Sequence, residues 1–429
     1  MKLGSYPLSL WERARVRVFL RERETRKLYR GDTTMKFIFK NLGPIHEAEL
    51  ELGDLTIIAG RNNTGKTYVA YTLYGFLKMW ELLSIPPSPE VEDGIVEIDK
   101  AVVSAVFNSS LEDFEDVSVQ VEVVGDDFTP SPLRPFILSA ERFGISLFYK
   151  ELDFTKSRLV EIVQEFVKEA DFTKNRLVQA LQEVGKDREK DREKEMQSFF
   201  PFLFIDKMAS RYAIPIRDNI DYTRSIPDLQ KRRSEIYDSK LFNDIRDIMG
   251  GSYTASGDDI RFKSKARKDR SFDIPLHIAS SSVRGLSDLY FFLRHVAEKN
   301  QLLIIDEPES HLDTANQIQL ARLLARAVHA GLKVLITTHS DYIVKEINNL
   351  LMLSGSFKDK PRVLRKLGYS EHDFLKPDSV RAYVAESNSL TRCTIKKYGI
   401  DMPIFDTTID TINRVSSELE SRLTYEGEE

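Results

Sequence analysis

The stretch "IIAGRNNTGKT", Ile57 to Thr67, decides the fold. From Gly60 onward it matches the pattern Gly-x-x-x-x-Gly-Lys-Ser/Thr. Such a loop lets backbone N–H groups curl round phosphate, because glycine admits turns that a side chain would block. Gly60, Arg61, Asn62, Asn63, Thr64 and Gly65 would form the cradle. Lys66 would reach the β- and γ-phosphates of ATP, and Thr67 would ligate Mg²⁺. The pattern carries weight only between a buried strand and a helix. "FIFKNLG" and "EAELELGDLTIIAG" alternate apolar and polar residues and then turn continuously apolar, which predicts two edge strands followed by a buried one. "KTYVAYTLYGFLKMWELL" is apolar on most sides and predicts a buried helix, closed by Pro86, Pro87 and Pro89.

Far along the chain, "LLIIDEPESHLD" starts at Leu302. An apolar strand ends there in two acids. Asp306 would hold Mg²⁺ through water, and Glu307 would orient or deprotonate the attacking water. Paired acids can also begin a helix, but Pro308 and the apolar run oppose that reading. "VLITTHS" puts His339 at the end of the next strand. A βαβ crossover runs its strands parallel and brings their carboxyl ends together, so His339 would stand near the acid pair.

Together the three segments resemble the ATPase head of the ABC class. In that class a switch histidine at the place of His339 contacts the γ-phosphate, and "SHLD" resembles the D-loop, with Asp313 its acid. About 240 residues separate Lys66 from Asp306, a whole domain's worth of chain. That insertion and "NLGPIHEAELELGDLTIIAGRNNTGKT" are similar to the SMC, RecF and OLD branch. The signature loop, which completes the ATP site of the opposite protomer, would fall at "IASSSVRGLSDLYFFL". Ser280, Ser281, Ser282 and Arg284 take its place, but the glycine expected after the signature serine is missing. A serine N-cap is the alternative reading, and a helix start there would attract phosphate in either case. "LSAERFGIS", with Ser139, Glu141 and Arg142, is the candidate for the Q-loop.

The expected fold is therefore α/β, a P-loop NTPase of the ABC type with a helical insertion. From Met35 to about Ile347 the chain resembles an OLD-type (AAA15-like) ATPase. A nuclease domain of the Toprim kind follows that ATPase in OLD proteins, and the tail here is too short for one. The resemblance then runs to stand-alone ATPases of bacterial phage-defence systems such as PARIS and Septu. It implies two heads closing on two ATP molecules and a separate nuclease or toxin as the effector. A DNA-binding repair ATPase like RecF, or a scaffold that binds ATP without turnover, are the competing readings.

Composition sets outer limits. Lys plus Arg is 62 against 67 for Asp plus Glu, a formal charge of −5, which argues against a globally basic nucleic-acid binder. Cys393 is the one cysteine, so an intrachain disulfide and a cysteine-rich metal site are excluded, which fits a reducing cytoplasm. No apolar run is long enough to span a membrane. Residues 1–34 are Arg-rich and read as an upstream extension without function, with Met35 as the start. Residues 35–149 form the first lobe, 150–250 the helical insertion and 251–350 the second lobe. "DFTKSRLV" at Asp153 recurs as "DFTKNRLV" at Asp171, at a helical repeat distance, and "KDREKDREKE" from Lys186 reads as a solvated helix end. Residues 351–429 hold a hairpin, "VRAYVAESNSLTRCTIKKYGI", and a helix. Ile409, Ile412, Val415, Leu419 and Leu423 share one face of that helix, which predicts a core contact within the chain ahead of the alternative, a seam between copies.

Overall fold

The computed structural model describes residues 17–20, 34–83, 93–98, 100–124, 133–147, 212–256, 259–265, 272–370, 372–396, 398–402 and 406–425. The duplicated "DFTK" segments and the charged run from Lys186 lie outside the described residues, as do Pro86, Pro87 and Pro89.

One mixed sheet of eleven strands organises the fold, in the order β1-β5-β6-β2-β3-β14-β13-β4-β12-β11-β7. The P-loop strand β4 (Leu55–Gly60) lies between β12 (Lys333–Thr338) and β13 (Val380–Glu386), parallel to both. Beyond β12 come β11 (Leu302–Asp306) and β7 (Pro135–Leu138), also parallel. The other half is antiparallel: β2 (Thr34–Leu42) pairs with β3 (Ile45–Glu51) and β6 (Ser118–Val124), and β5 (Asp93–Ile98) with β6. From residues 1–34, Arg17–Leu20 adds the outermost strand β1, against β5.

Both strands expected at an edge, β2 and β3, are interior. Their alternation has another cause. Phe37, Phe39, Leu42, Ile45, Ala48 and Leu50 are buried, whereas His46, Glu47 and Glu49 are exposed. An antiparallel sheet can face a core on one side and water on the other, so one-sided burial mimics an edge in the sequence.

In the parallel half each strand feeds two cores by alternation. Ile58, Ile304 and Leu335 face helix α1 (Lys66–Leu83), packing with Val69, Leu73, Tyr74 and Leu77. Ile57, Ile305, Val334 and Ile336 face the opposite layer. That layer contains α4 (Ser239–Met249), α5 (Ser281–Phe291), α6 (Thr314–His329) and α7 (Asp341–Met352). Covering both faces is what lets these strands be continuously apolar.

The segment "RYAIPIRDNIDYTRSIPDLQ" holds two prolines. It forms α3 (Ile214–Leu229). Pro215 occupies the first turn, where no N–H is needed, and Pro227 falls in the last. Its Tyr222 meets Phe136 of β7 edge-on at 4.7 Å between ring centroids. The helices of residues 212–250 thus pack into the same core as β11 and β12.

The tail hairpin also belongs to the main sheet. Ser387 and Asn388 both have positive φ, 50° and 61°, as a two-residue turn matched to strand twist requires. The turn joins β13 to β14 (Ser389–Arg392), which pairs parallel with β3. Of the residues expected to give the last helix, α9 (Asp406–Tyr425), a core contact, Ile412, Val415 and Leu419 are 60%, 51% and 55% exposed, whereas the side chains of Ile409 and Leu423 lie outside the described residues. Among the described residues no helix is long and apolar enough to cross a membrane.

Candidate nucleotide site

The carboxyl ends of β4, β11 and β12 meet at one edge of the sheet, and the three sequence segments meet with them. The loop after β4 is already shaped as a cradle. Gly65 has φ +91°, and a Cβ there would come within 2.7 Å of Ile45. Asn63 also adopts the left-handed region, with φ 60°. Arg61, Asn62 and Asn63 are exposed, and the Thr64 hydroxyl donates to the Arg61 carbonyl at 2.9 Å. Lys66 is buried beneath them. Its Nζ donates to the carbonyls of Gly60 at 3.0 Å and Arg61 at 2.7 Å, which holds the loop round its ammonium. Burial lowers the Lys66 pKa, and the facing carboxylates of Glu307, Asp306 and Glu309 oppose that.

Asp306 is fully buried at the tip of β11. The Thr67 hydroxyl donates to it at 3.0 Å, and so does the hydroxyl of Thr337 on β12. Burial pushes the Asp306 carboxyl up to about 6, against the pull of these two hydroxyls. A hydroxyl and a carboxylate this close form the oxygen pair that Mg²⁺ takes when phosphate and water fill its other positions, so the residues fit that ion.

Glu307 is the strained member, at φ 49°. Its N–H donates to the Thr337 carbonyl at 3.1 Å, and its carboxylate accepts from the Ser310 hydroxyl at 3.2 Å. His339 Nδ1 lies 3.6 Å from Glu307 and 3.1 Å from Glu309. The neighbouring carboxylate of Glu307 chiefly raises the His339 pKa, burial opposes it, and the charge of Glu309 adds to the rise. The same contact with His339 holds Glu307 below the usual carboxylate range.

Arg142, a candidate for the Q-loop, lies at the centre of the site. Only 4% exposed, it donates to four backbone carbonyls. These are Asp306 at 2.7 Å, Glu307 at 2.7 Å, Ser139 at 3.0 Å and Gly285 at 3.2 Å. It therefore fastens the end of β11 to α5. Glu141 accepts from the Tyr71 hydroxyl at 3.0 Å. Ser139 donates through its N–H and hydroxyl to Asn219 of α3, at 3.1 and 3.2 Å.

Asn219 in turn donates to Asp288 of α5 at 2.9 Å, and Thr223 does so at 3.0 Å. Burial raises the Asp288 carboxyl from 3.8 to about 6, against the pull of Thr223, Asn219, Arg142 and Ser287. It is thus more easily protonated folded than unfolded. Its contribution to stability is complete below the unfolded value and is lost as pH rises through about 6, at a cost of about 3 kcal/mol. Asp288→Asn should flatten the pH dependence of unfolding over that interval, measured by urea denaturation. An unchanged slope would assign the dependence to another group.

The candidates for the signature loop and the D-loop stand outside this cluster of contacts. Ser280 caps α5, its side chain accepting from Val283 N–H at 3.4 Å, and its hydroxyl lies 3.1 Å from that of Ser282. Ser281 and Ser282 are half-buried at the helix start. Arg284 donates to the carbonyls of His277 and Ala279 and lies 4.5 Å over the Phe143 ring. Asp313 caps α6, accepting from Asn316 N–H at 3.0 Å. Within one chain these residues cap and brace helices.

Sequence reasoning missed Glu309 and Thr337. Both sit inside quoted motifs, but nothing in the spacing marks either as a partner of Asp306 or His339.

Residues 134–344 match a family described as "AAA ATPase domain". Over that span, just under half of its length, the chain is similar to this family. The matched span includes Arg142, Ser280, Asp306, Glu307 and His339 and begins after the P-loop. None of the curated proteins matches the sequence. Among solved structures, the Smc head domain with an extended coiled coil bound to the C-terminal domain of ScpA, from Pyrococcus furiosus, is similar at 12% identity and a TM-score of 0.34. The match covers 90% of this chain and 100% of that one. The SMC head domain from Thermotoga maritima is similar at 12% identity and a TM-score of 0.33, over 84% of this chain and 98% of that one.

Proposed function

We propose that this ATPase domain binds ATP with Mg²⁺, hydrolyses it, and pairs with a second copy around the nucleotide. The meeting of Lys66, Thr67, Asp306, Glu307 and His339 at one sheet edge carries the reading. Lys66 offsets charge on the β- and γ-phosphates. Thr67 and Asp306 hold Mg²⁺, which would neutralise the phosphate oxygens. Glu307 is ionised and faces the same space, so it orients water and accepts its proton. His339 contacts the γ-phosphate and releases it after cleavage. Ser280, Ser281, Ser282, Arg284 and Asp313 would complete the site of the opposite copy.

By resemblance to OLD-type ATPases of PARIS and Septu, the closed dimer would control a separate nuclease or toxin in bacterial defence against phage, in the cytoplasm. ATP favours the closed state through γ-phosphate contacts, and hydrolysis removes that preference.

Glu307→Gln should lower ATP turnover by at least about 100-fold while ATP still binds. Light scattering should show the variant held as a dimer in ATP. Turnover at the wild-type rate would remove Glu307 from the chemistry. Phage plating on cells carrying this gene and its neighbours tests the defence role. Turnover stimulated by DNA, with affinity falling as salt rises, would instead favour a repair ATPase.

A further inference from the structure

We propose that Glu309 is a positioning residue for hydrolysis, fixing which nitrogen of His339 faces the γ-phosphate; this rests on the ATPase reading above. Glu309 follows the acid pair by one proline, and its side chain is 3% exposed. One carboxylate oxygen, Oε1, gathers three contacts. It accepts from the Thr338 hydroxyl at 2.8 Å and from the His339 backbone N–H at 2.6 Å, and it lies 3.1 Å from His339 Nδ1. The other oxygen, Oε2, is buried without a hydrogen-bond partner among the described residues.

Stability alone accounts poorly for this arrangement. A buried carboxylate with one oxygen unmatched costs more than its few hydrogen bonds return, and an apolar side chain of similar volume would be as stable or more so. What the carboxylate does supply is direction. An acceptor against Nδ1 keeps the proton on that nitrogen, and the ring's Nε2 then points to the opposite side. The backbone N–H contact fixes the start of the side chain at the same time. The groups facing the ring are Glu307, Glu309 and Lys66. Glu309 is the nearer of the two carboxylates, and the only one that also holds the His339 backbone.

The test is a double-mutant cycle on turnover together with a nitrogen NMR spectrum of the histidine rings. Glu309→Met should lower kcat by about 10-fold or more with little change in KM for ATP, and Glu309→Gln, which keeps an acceptor, should lower it less. In a His339→Ala background, Glu309→Met should have no further effect, because the group it aims is gone. The Nδ1 signal of His339 should move from protonated toward exchange between tautomers in Glu309→Met, with the melting temperature held or raised. Additive effects on kcat, or an unchanged His339 spectrum, would overturn the proposal. Absence of turnover in the wild-type chain would instead sink the ATPase reading, and the spectrum would then decide the role of Glu309 alone.

Discussion

Lys66→Ala is expected to weaken ATP binding by about 100-fold or more, close to 3 kcal/mol. The size follows from what surrounds the ammonium. Lys66 is 5% exposed and faces the carboxylates of Glu307, Asp306 and Glu309. Its removal leaves those three acids without their facing ammonium, against a ligand that is itself a polyanion. It also frees the Gly60 and Arg61 carbonyls that the ammonium gathers, so the loop loses an internal tie. Calorimetric titration of ATP with Mg²⁺ measures the effect. Affinity within a few-fold of wild type would mean that the backbone N–H groups carry the triphosphate unaided.

Arg142→Met is expected to damage both the fold and the chemistry. Four carbonyls lose a charged donor in a place that water does not reach, worth about 3–5 kcal/mol in total. The chemical effect comes through Glu307. A left-handed conformation at a residue with a side chain persists only where its surroundings impose it. Here the N–H of Glu307 is held by Thr337 and its carbonyl by Arg142. With Arg142 gone the backbone is free to relax and to swing the carboxylate off its aim, lowering kcat by about 100-fold. Melting curves and turnover, measured together, separate the two. A lower melting temperature with unchanged kcat would leave Arg142 a structural role only.

Much of this site was legible in the sequence because P-loop chemistry is local. Gly60 to Thr67 are consecutive, and the loop shape follows from the residues inside it. Asp306 and His339 were legible for a different reason, since parallel strands joined by one helix must end at the same edge. What stayed hidden depends on contacts between distant segments. Arg142 could be named but not given a role, since its four acceptors come from three separate parts of the chain. Glu309 was not singled out, because nothing in the spacing of "DEPESHLD" marks it. The last helix failed in the opposite sense: Ile412, Val415 and Leu419 have helical apolar spacing, but periodicity does not say whether the same chain supplies the other surface.

The place of β13 has a consequence for how the protein is made. Gly60 lies against Ala385, and a Cβ there would sit 2.5 Å from the Ala385 carbonyl. Tyr383 of β13 also reaches the end of β3, its hydroxyl accepting from the Glu51 N–H at 2.8 Å. The P-loop leaves the ribosome early, but its neighbouring strand is translated more than three hundred residues later. Until then a nascent chain exposes one side of β4, an unpaired strand that invites wrong partners. So distant a pairing also slows the final closure. A chain cut short after His339 would hold Lys66, Asp306 and Glu307 and still lack a wall of the cradle. Nucleotide binding would then report that translation has run past the hairpin.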